Sequence, residues 1–349
     1  MIFLHLPKLY ITMFKPEILS EIKQLVKTKK NILILAHQNP DGDAIGSSLG
    51  LFHCLRNIGV QSTIIVPNEF PKFLKWMPGA KNIIIGEYRV KFVEIAFRNA
   101  DLIFCLDFNT SSRINQLETK LNESKAIKIL IDHHQNPDSY DYIYSDTSQP
   151  ATCQMVYKFI EALGEASKID EKIATCLYTG ILTDTGSFRF KNTTAETHQI
   201  IATLIEKGAK PDNIASNIFD CNTSERLKLL GSVLESIEII PNKNTVILQV
   251  TKAQLLELGY QKGDTEGFVN YGLSIIGIKF AAFFMEDLQN DFIKISFRSK
   301  GNFDVNKFSR SYFNGGGHIN AAGGRSNLSL KDTISRFKNI IQNEINEIS

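Results

Sequence analysis

Apolar residues fall along this chain in two ways: short unbroken runs, and longer stretches with a helical repeat. The run 31–36 (Asn-Ile-Leu-Ile-Leu-Ala) predicts a strand buried on both faces, and it stops at His37. From 44 to 57 apolar residues recur at Ile45, Leu49, Phe52 and Leu55, a helical period, with Gly59 as its C-terminal cap. Gly46, Ser47, Ser48 and Gly50 predict close packing of that helix on a sheet. Further strands are predicted at 60–66, 101–106 and 127–131. Helical patterns cover 14–30, 152–163, 171–182 and 194–208. Strands separated by helices imply right-handed crossovers and a mainly parallel, doubly wound α/β sheet. The stretch 214–239 reads as mostly helical. Beyond it, strand character at 245–250, 274–284 and 292–297 and a closing helix at 330–348 predict a second, smaller α/β region.

Composition narrows the class without naming it. The chain has 349 residues, which suits two domains, and 43% hydrophobic with 22% charged residues suits a soluble globular protein. A net charge of +2 excludes a globally basic nucleic-acid binder, so any basic surface must be local. No apolar run approaches the ~18 residues of a membrane span. Residues 1–12 are too short for a signal core and no small-residue cleavage site follows. They read as a tail, with Met13 an alternative start, and the expectation is a cytoplasmic protein. The five cysteines form no Cys-x-x-Cys pair and read as small buried hydrophobes.

The chemistry sits where the strands stop. The first is followed by His37, Asp41 and Asp43, the 101–106 strand by Asp107, and the 127–131 strand by Asp132-His133-His134. In open α/β sheets ligands bind beyond the carboxyl ends of the strands. Mixed imidazole and carboxylate donors suit a hydrolytic metal site. Locally, Asn-Pro-Asp-Gly is also a turn with a helix-capping aspartate; three such junctions in one pattern favour a composite site. Asp184, in the break after 171–182, is a further candidate ligand. In the second region Gly315-Gly316-Gly317-His318 can let a backbone approach a phosphate. Arg298 and Ser299 follow the 292–297 strand. Phe283, Phe284, Tyr271 and Phe313 read as core, and His5, His53 and His198 as non-functional, with His53 on the solvent side of its helix.

These residues in this order resemble the DHH phosphoesterases with a DHH-associated C-terminal domain. The likeness rests on His37-x-x-x-Asp41-x-Asp43, Asp107, Asp132-His133-His134, Asp184 and Gly315-Gly-Gly-His318, and runs from about residue 14 to the end. Within the family the chain looks most like the short, two-domain nano-RNases that also dephosphorylate 3′-phosphoadenosine 5′-phosphate. The resemblance implies a tail at 1–12, a catalytic domain at 13–210, a helical linker at 211–238 and a substrate-binding domain at 239–349, with the active site in the cleft between. It implies two manganese ions, with magnesium or another divalent ion as substitute. His37, Asp41 and Asp107 would hold one; Asp43, Asp107, His133 and Asp184 the other. Asp132 would orient a ligand, and His134 would face the substrate phosphate and, if protonated, aid the leaving oxygen. Arg298 would grip a terminal phosphate with Ser299, Gly315–Gly317 and His318 nearby, and Arg113 would approach the substrate.

The activity so implied is two-metal hydrolysis of short oligoribonucleotides to mononucleotides, and of the bisphosphate to AMP, by attack of an activated water. No membrane and no stable protein partner are implied; a homodimer is left open. The rival readings are a cyclic or linear dinucleotide phosphodiesterase, a RecJ-like single-strand exonuclease, an inorganic pyrophosphatase and a nucleotide-binding regulator with a dead site.

Overall fold

The computed structural model describes residues 15–345. His5, the tail over 1–12, Met13 and the last residues of the predicted 330–348 helix lie outside the described residues. The chain divides between Cys221 and Asn222 into two compact units.

Unit 1 opens with helix α1 (Pro16–Thr28), then strand β1 (Ile32–Leu35), helix α2 (Gly42–Asn57) and β2 (Ser62–Val66). There follow β3 (Ile84–Ile85), α3 (Val90–Asn99), β4 (Leu102–Leu106), α4 (Glu118–Glu123), β5 (Ile127–Asp132) and β6 (Tyr142–Ser145). Helices α5 (Thr152–Ala162), α6 (Glu171–Asp184), α7 (Ala195–Glu206) and α8 (Pro211–Phe219) complete it. The sheet order is β3-β2-β1-β4-β5-β6 and every neighbouring pair is parallel. The central strands β1 and β4 are apolar and buried throughout because both their faces are covered. Ile32 and Ile34 of β1 face one core with α2, α5 and α6; Leu33 and Leu35 face another with α3 and α4. Burying one such side chain contributes about 1.5–3 kcal/mol. The order reverses between β1 and β4, the point at which connections leave for opposite faces and a crevice opens at the carboxyl ends.

The structure departs from several of these expectations. The small residues of α2 serve a helix, not the sheet. A Cβ at Gly46 would stand 2.6 Å from the Cys176 carbonyl oxygen of α6, so α2 and α6 meet backbone to backbone. His53 is buried, and its Nε2 donates to the Pro78 carbonyl at 2.8 Å. Four cysteines are buried, but Cys221 is exposed. Strands β3 and β6 carry no prediction: β3 has two residues, and the Tyr-Ile-Tyr-Ser of β6 is no unbroken aliphatic run. The stretch 214–239 is broken at Thr223, whose side chain caps a new helix by accepting the Arg226 N–H at 3.1 Å.

Unit 2 comprises α9 (Ser224–Glu235), β7 (Glu238–Ile240), β8 (Thr245–Val250), α10 (Lys252–Glu257), α11 (Phe268–Leu273) and β9 (Phe280–Glu286). It continues through β10 (Ile293–Ser299), α12 (Val305–Tyr312), β11 (Gly316–His318), β12 (Ala321–Ser326) and α13 (Leu330–Asn343). Its sheet order is β11-β12-β10-β9-β8-β7, with β8 and β9 parallel and the other pairs antiparallel. The strand predicted from 274 begins only at Phe280, because Gly277 at φ +80° turns the chain first. One face packs Phe280, Phe284 and Phe297 against Phe308 and Phe337. The opposite face of β8 and β9 packs on α9 and α11. Phe283, Phe284 and Phe313 are core as expected, whereas Tyr271 is exposed.

Candidate active site

The site gathers at the carboxyl ends of β1, β4 and β5. His37 follows β1, and its Nδ1 lies 2.9 Å from the Gln38 carbonyl oxygen. A carbonyl only accepts, so Nδ1 carries the proton and Nε2 is turned inward. Nε2 stands 3.4 Å from Asp107 Oδ2 and 3.8 Å from Asp41 Oδ1. Asp41 also caps α2, its Oδ1 accepting the N–H groups of Asp43 at 3.1 Å and Ala44 at 3.0 Å. The capping and ligand readings of Asp41 therefore coexist.

Asp43 lies inside α2, almost wholly buried. Its two carboxylate oxygens accept the N–H groups of Thr152 at 2.6 Å and Cys153 at 2.8 Å, the first turn of α5. The positive end of that helix thus holds the charge in place. Asp107 follows β4 in the left-handed region, φ +62°. Its Oδ1 accepts from Thr152 Oγ1 at 2.9 Å and lies 3.5 Å from His133 Nε2. His133 repeats the logic of His37: Nδ1 donates to the Gln149 carbonyl at 3.1 Å. Its Nε2 faces Asp184 Oδ2 at 3.4 Å and Asp43 Oδ2 at 3.8 Å. Asp184 is the last residue of α6.

Asp132 is fully buried and is committed to His134, accepting its backbone N–H at 3.0 Å and its Nδ1–H at 2.7 Å. Arg113, half-buried in a short turn, is tied in by its carbonyl, which accepts the Gln38 N–H at 2.8 Å.

Electrostatics follow from this crowding. Burial alone would discharge His37, but Asp107 and Asp41 outweigh it and raise its pKa to about 10. Burial likewise opposes the charge on His133, and Asp107, Asp184 and Asp43 again prevail. Burial, then the charges of Asp107 and Asp184, push the Asp43 carboxyl well up. Asp132 rises to about 7 through burial and Asp107. His134 is held well below its usual value by burial, Arg113 and His133, so its ring rests neutral.

Asp107, Asp132 and His134 also come together, but Asp132 is bonded to His134; two further groups remain. His37, Asp41 and Asp107 each offer an atom within 4.8 Å of the others, and so do Asp43, Asp107 and His133. Asp107 belongs to both, and Asp184 closes on the second through His133. The donor set fits divalent cations. Its carboxylates make two imidazoles cling to protons, and any cation taking those protons' places meets the same attraction. The two inward Nε2 atoms are already oriented by backbone carbonyls, as metal-bound histidines require.

Three partners escaped the sequence reading. Thr152 bonds both Asp43 and Asp107; a threonine at the start of a helix carries no sign of where it points. The Gln38 and Gln149 carbonyls have no sequence signal, because any residue supplies a carbonyl.

The remaining candidates lie in unit 2. Arg298 and His318 both pair with Ala321, from β10 and β11, which places them on one face of the sheet. Arg298 Nη1 donates to the Phe297 carbonyl at 3.0 Å. Ser299 is buried, donating to the Phe303 carbonyl at 2.6 Å and accepting from Asn320 at 2.8 Å. Gly315 and Gly317 are demanded by the hairpin: a Cβ on either would strike the backbone of β12, at Gly323 and Ala321. The Gly317 N–H is taken by Asn306 Oδ1 at 3.0 Å. Gly316 is the least confined of the three, its nearest neighbour 3.6 Å away.

A doubly wound sheet carrying two His/Asp donor groups at its switch point, joined to a second mixed-sheet unit, defines a metal-dependent phosphoesterase. Comparison with known proteins agrees. The DHH family N-terminal domain matches residues 31–181 and the DHHA1 domain residues 242–347. The chain is 31% identical over 316 residues to the bifunctional oligoribonuclease and PAP phosphatase NrnA of Thermus thermophilus, covering 90% of each. It is 28% identical over 306 residues to the protein of that name from Bacillus subtilis, covering 87% of this chain and 92% of the relative. A crystal structure of an exopolyphosphatase-related protein from Bacteroides fragilis superimposes with a TM-score of 0.90 at 37% identity, over 94% of this chain and 96% of that one. The chain belongs to the DHH/DHHA1 family of phosphoesterases. Among the described residues no helix is long and apolar enough to cross a membrane.

Proposed function

We propose that this enzyme hydrolyses short oligoribonucleotides to mononucleotides and 3′-phosphoadenosine 5′-phosphate to AMP and phosphate, using two manganese ions. The observation that carries the reading is Asp107, the carboxylate shared by both donor groups, in a chain similar over 90% of its length to a bifunctional oligoribonuclease and PAP phosphatase. His37, Asp41 and Asp107 would hold one ion, and Asp43, Asp107, His133 and Asp184 the other. Bound there, the ions supply a water of lowered pKa and neutralise charge on the phosphoryl oxygens. The side chains do the rest. Carbonyls of Gln38 and Gln149 keep Nε2 of His37 and His133 aimed inward. The first turn of α5 fixes Asp43, and Thr152 fixes Asp107. Asp132 sets the tautomer of His134, which would contact the substrate phosphate. Arg113 supplies positive charge at the rim. In unit 2, Arg298 would take a terminal phosphate with His318 beside it, and Gly316 the close approach of the backbone. Ser299 and the flanking glycines would support that surface from below.

The test is product release by the purified protein with manganese. The substrates are 3′-phosphoadenosine 5′-phosphate, RNA of two to about twenty-four nucleotides, matched DNA and a cyclic dinucleotide. Fast turnover of the bisphosphate and of two- to five-mers, with little on longer strands, is expected. Preference for long DNA or for the cyclic species overturns the substrate assignment.

A further inference from the structure

In unit 2 the antiparallel register of β10 and β12 sets Lys294 opposite Arg325, Ser296 opposite Gly323 and Arg298 opposite Ala321. Opposed positions share a face, and successive positions alternate between faces. Ile293, Ile295, Phe297 and Ala322 point into the phenylalanine core. The other six therefore point away from it. Toward β12 this face is open: Lys294, Gly323 and Arg325 are exposed.

Two features of the open face go beyond what holding the sheet together requires. Like charges directly opposite each other destabilise a strand pair, yet Lys294 and Arg325 stand so. Asp287 Oδ2 is 3.9 Å from Lys294 Nζ, while its Oδ1 is engaged by the turn through Gln289 and Asn290. Arg325 makes no ion pair among the described residues. The second feature is Gly323. Unlike Gly315 and Gly317 it is not confined: a Cβ there would meet only the Ile295 carbonyl oxygen, at 3.8 Å, an ordinary contact. Its backbone is not left-handed either. The fold does not need a glycine at this position, and its effect is to leave the floor bare between two cationic ends.

The spacing limits what could lie there. Arg298 and Lys294 are four strand residues apart, roughly 13 Å. One phosphate cannot touch both, but two phosphates of one chain can, with two nucleosides and the phosphate that links them over the small residues between. We propose that this face is a track for a short single-stranded oligonucleotide. Arg298 takes its terminal phosphate, Lys294 and Arg325 take a phosphate further along, and Gly323 with Ser296 forms the floor. The inference rests on the reading of Arg298 as the grip for a terminal phosphate. It makes Lys294 and Arg325 determinants of substrate length: an oligomer spans both ends, whereas 3′-phosphoadenosine 5′-phosphate ends before the second.

The test measures binding of a fluorescent five-nucleotide RNA to the full chain in calcium, by anisotropy, across a salt series. Alongside it, turnover of 3′-phosphoadenosine 5′-phosphate is measured in manganese. Two variants are compared with wild type: the double change Lys294→Gln and Arg325→Gln, and the charge-neutral Gly323→Val. Losing the charged contacts should weaken five-mer binding about tenfold and flatten its salt dependence. Gly323→Val should weaken it at unchanged salt slope. Turnover of the bisphosphate should stay within twofold in both. Unchanged five-mer affinity in both variants, or bisphosphate turnover falling in step with it, overturns the track. If the wild type hydrolyses neither substrate, the proposed function fails, and the five-mer affinities still decide the track.

Discussion

Among the described residues every buried aspartate and histidine belongs to unit 1: six at the site, and His53 on α2. The buried polar side chains of unit 2 are Thr245, Ser299, Asn306, Ser309, Ser326 and Thr333, none of which carries charge. Its core is a cluster of phenylalanines, with Phe280 and Phe297 at centroid distances near 5–6 Å from several others. The two units therefore depend on solution conditions differently. Unit 1 buries carboxylates whose mutual repulsion bound divalent cations would relieve. Unit 2 buries apolar area, which ions and pH barely touch.

The largest expected effect is at Asp107. Asp107→Asn should abolish manganese-dependent turnover and lower the bound metal measured by elemental analysis. Asparagine is the right replacement because it tolerates the left-handed backbone that alanine would strain. Near-normal turnover in a folded variant would sink the shared-ligand assignment. Next, Phe297→Ala should cost about 3–5 kcal/mol in a denaturant titration, with metal content unchanged. A loss of metal with it would erase the contrast between the units. Third, manganese at a hundred times its Kd should stabilise unit 1 by about 2.7 kcal/mol for each ion bound. A scanning-calorimetry trace with and without chelator should show the unit 1 transition moving and the unit 2 transition still.

Fourth, Asp132→Asn should cost roughly 10–100-fold in kcat/KM while metal stays bound, since Asp132 holds His134. Equal turnover in the variant would show that the orientation of His134 is unimportant. The smallest effect concerns His53. Burial depresses its pKa, so its stabilising contribution is complete above about 6.5 and is lost as pH falls through the depressed folded value. The Tm of unit 1 should therefore drop more between pH 7.5 and 5.5 in wild type than in His53→Gln. Parallel pH profiles would remove His53 from the account.

The sequence made the site legible because its ligands sit at ends of apolar runs. Asp107 and the Asp132-His133-His134 run stand directly after β4 and at the end of β5, where a run visibly stops. Asp184 was found as a break in a helical pattern, although it proves to be that helix's last residue. What stayed hidden depends on distance in space. The pattern puts His53 on the solvent side because a helical period does not say that the Pro78 loop folds over that face. Gly46 was assigned to the sheet because a small residue announces a close approach but not its partner. In unit 2, β11 has only three residues, and β12 (Ala-Ala-Gly-Gly-Arg-Ser) carries neither an apolar run nor an apolar–polar alternation.

The backbone at Asp107 also bears on descent. A side chain with φ +62° is comfortable for glycine, asparagine and aspartate and costly for most others. Drift at this position is therefore channelled. A lineage that abandoned the chemistry while keeping the fold would be expected to pass through asparagine or glycine rather than alanine. Either of those at this one position, with the strands around it intact, would mark a relative that has lost the reaction and kept the architecture.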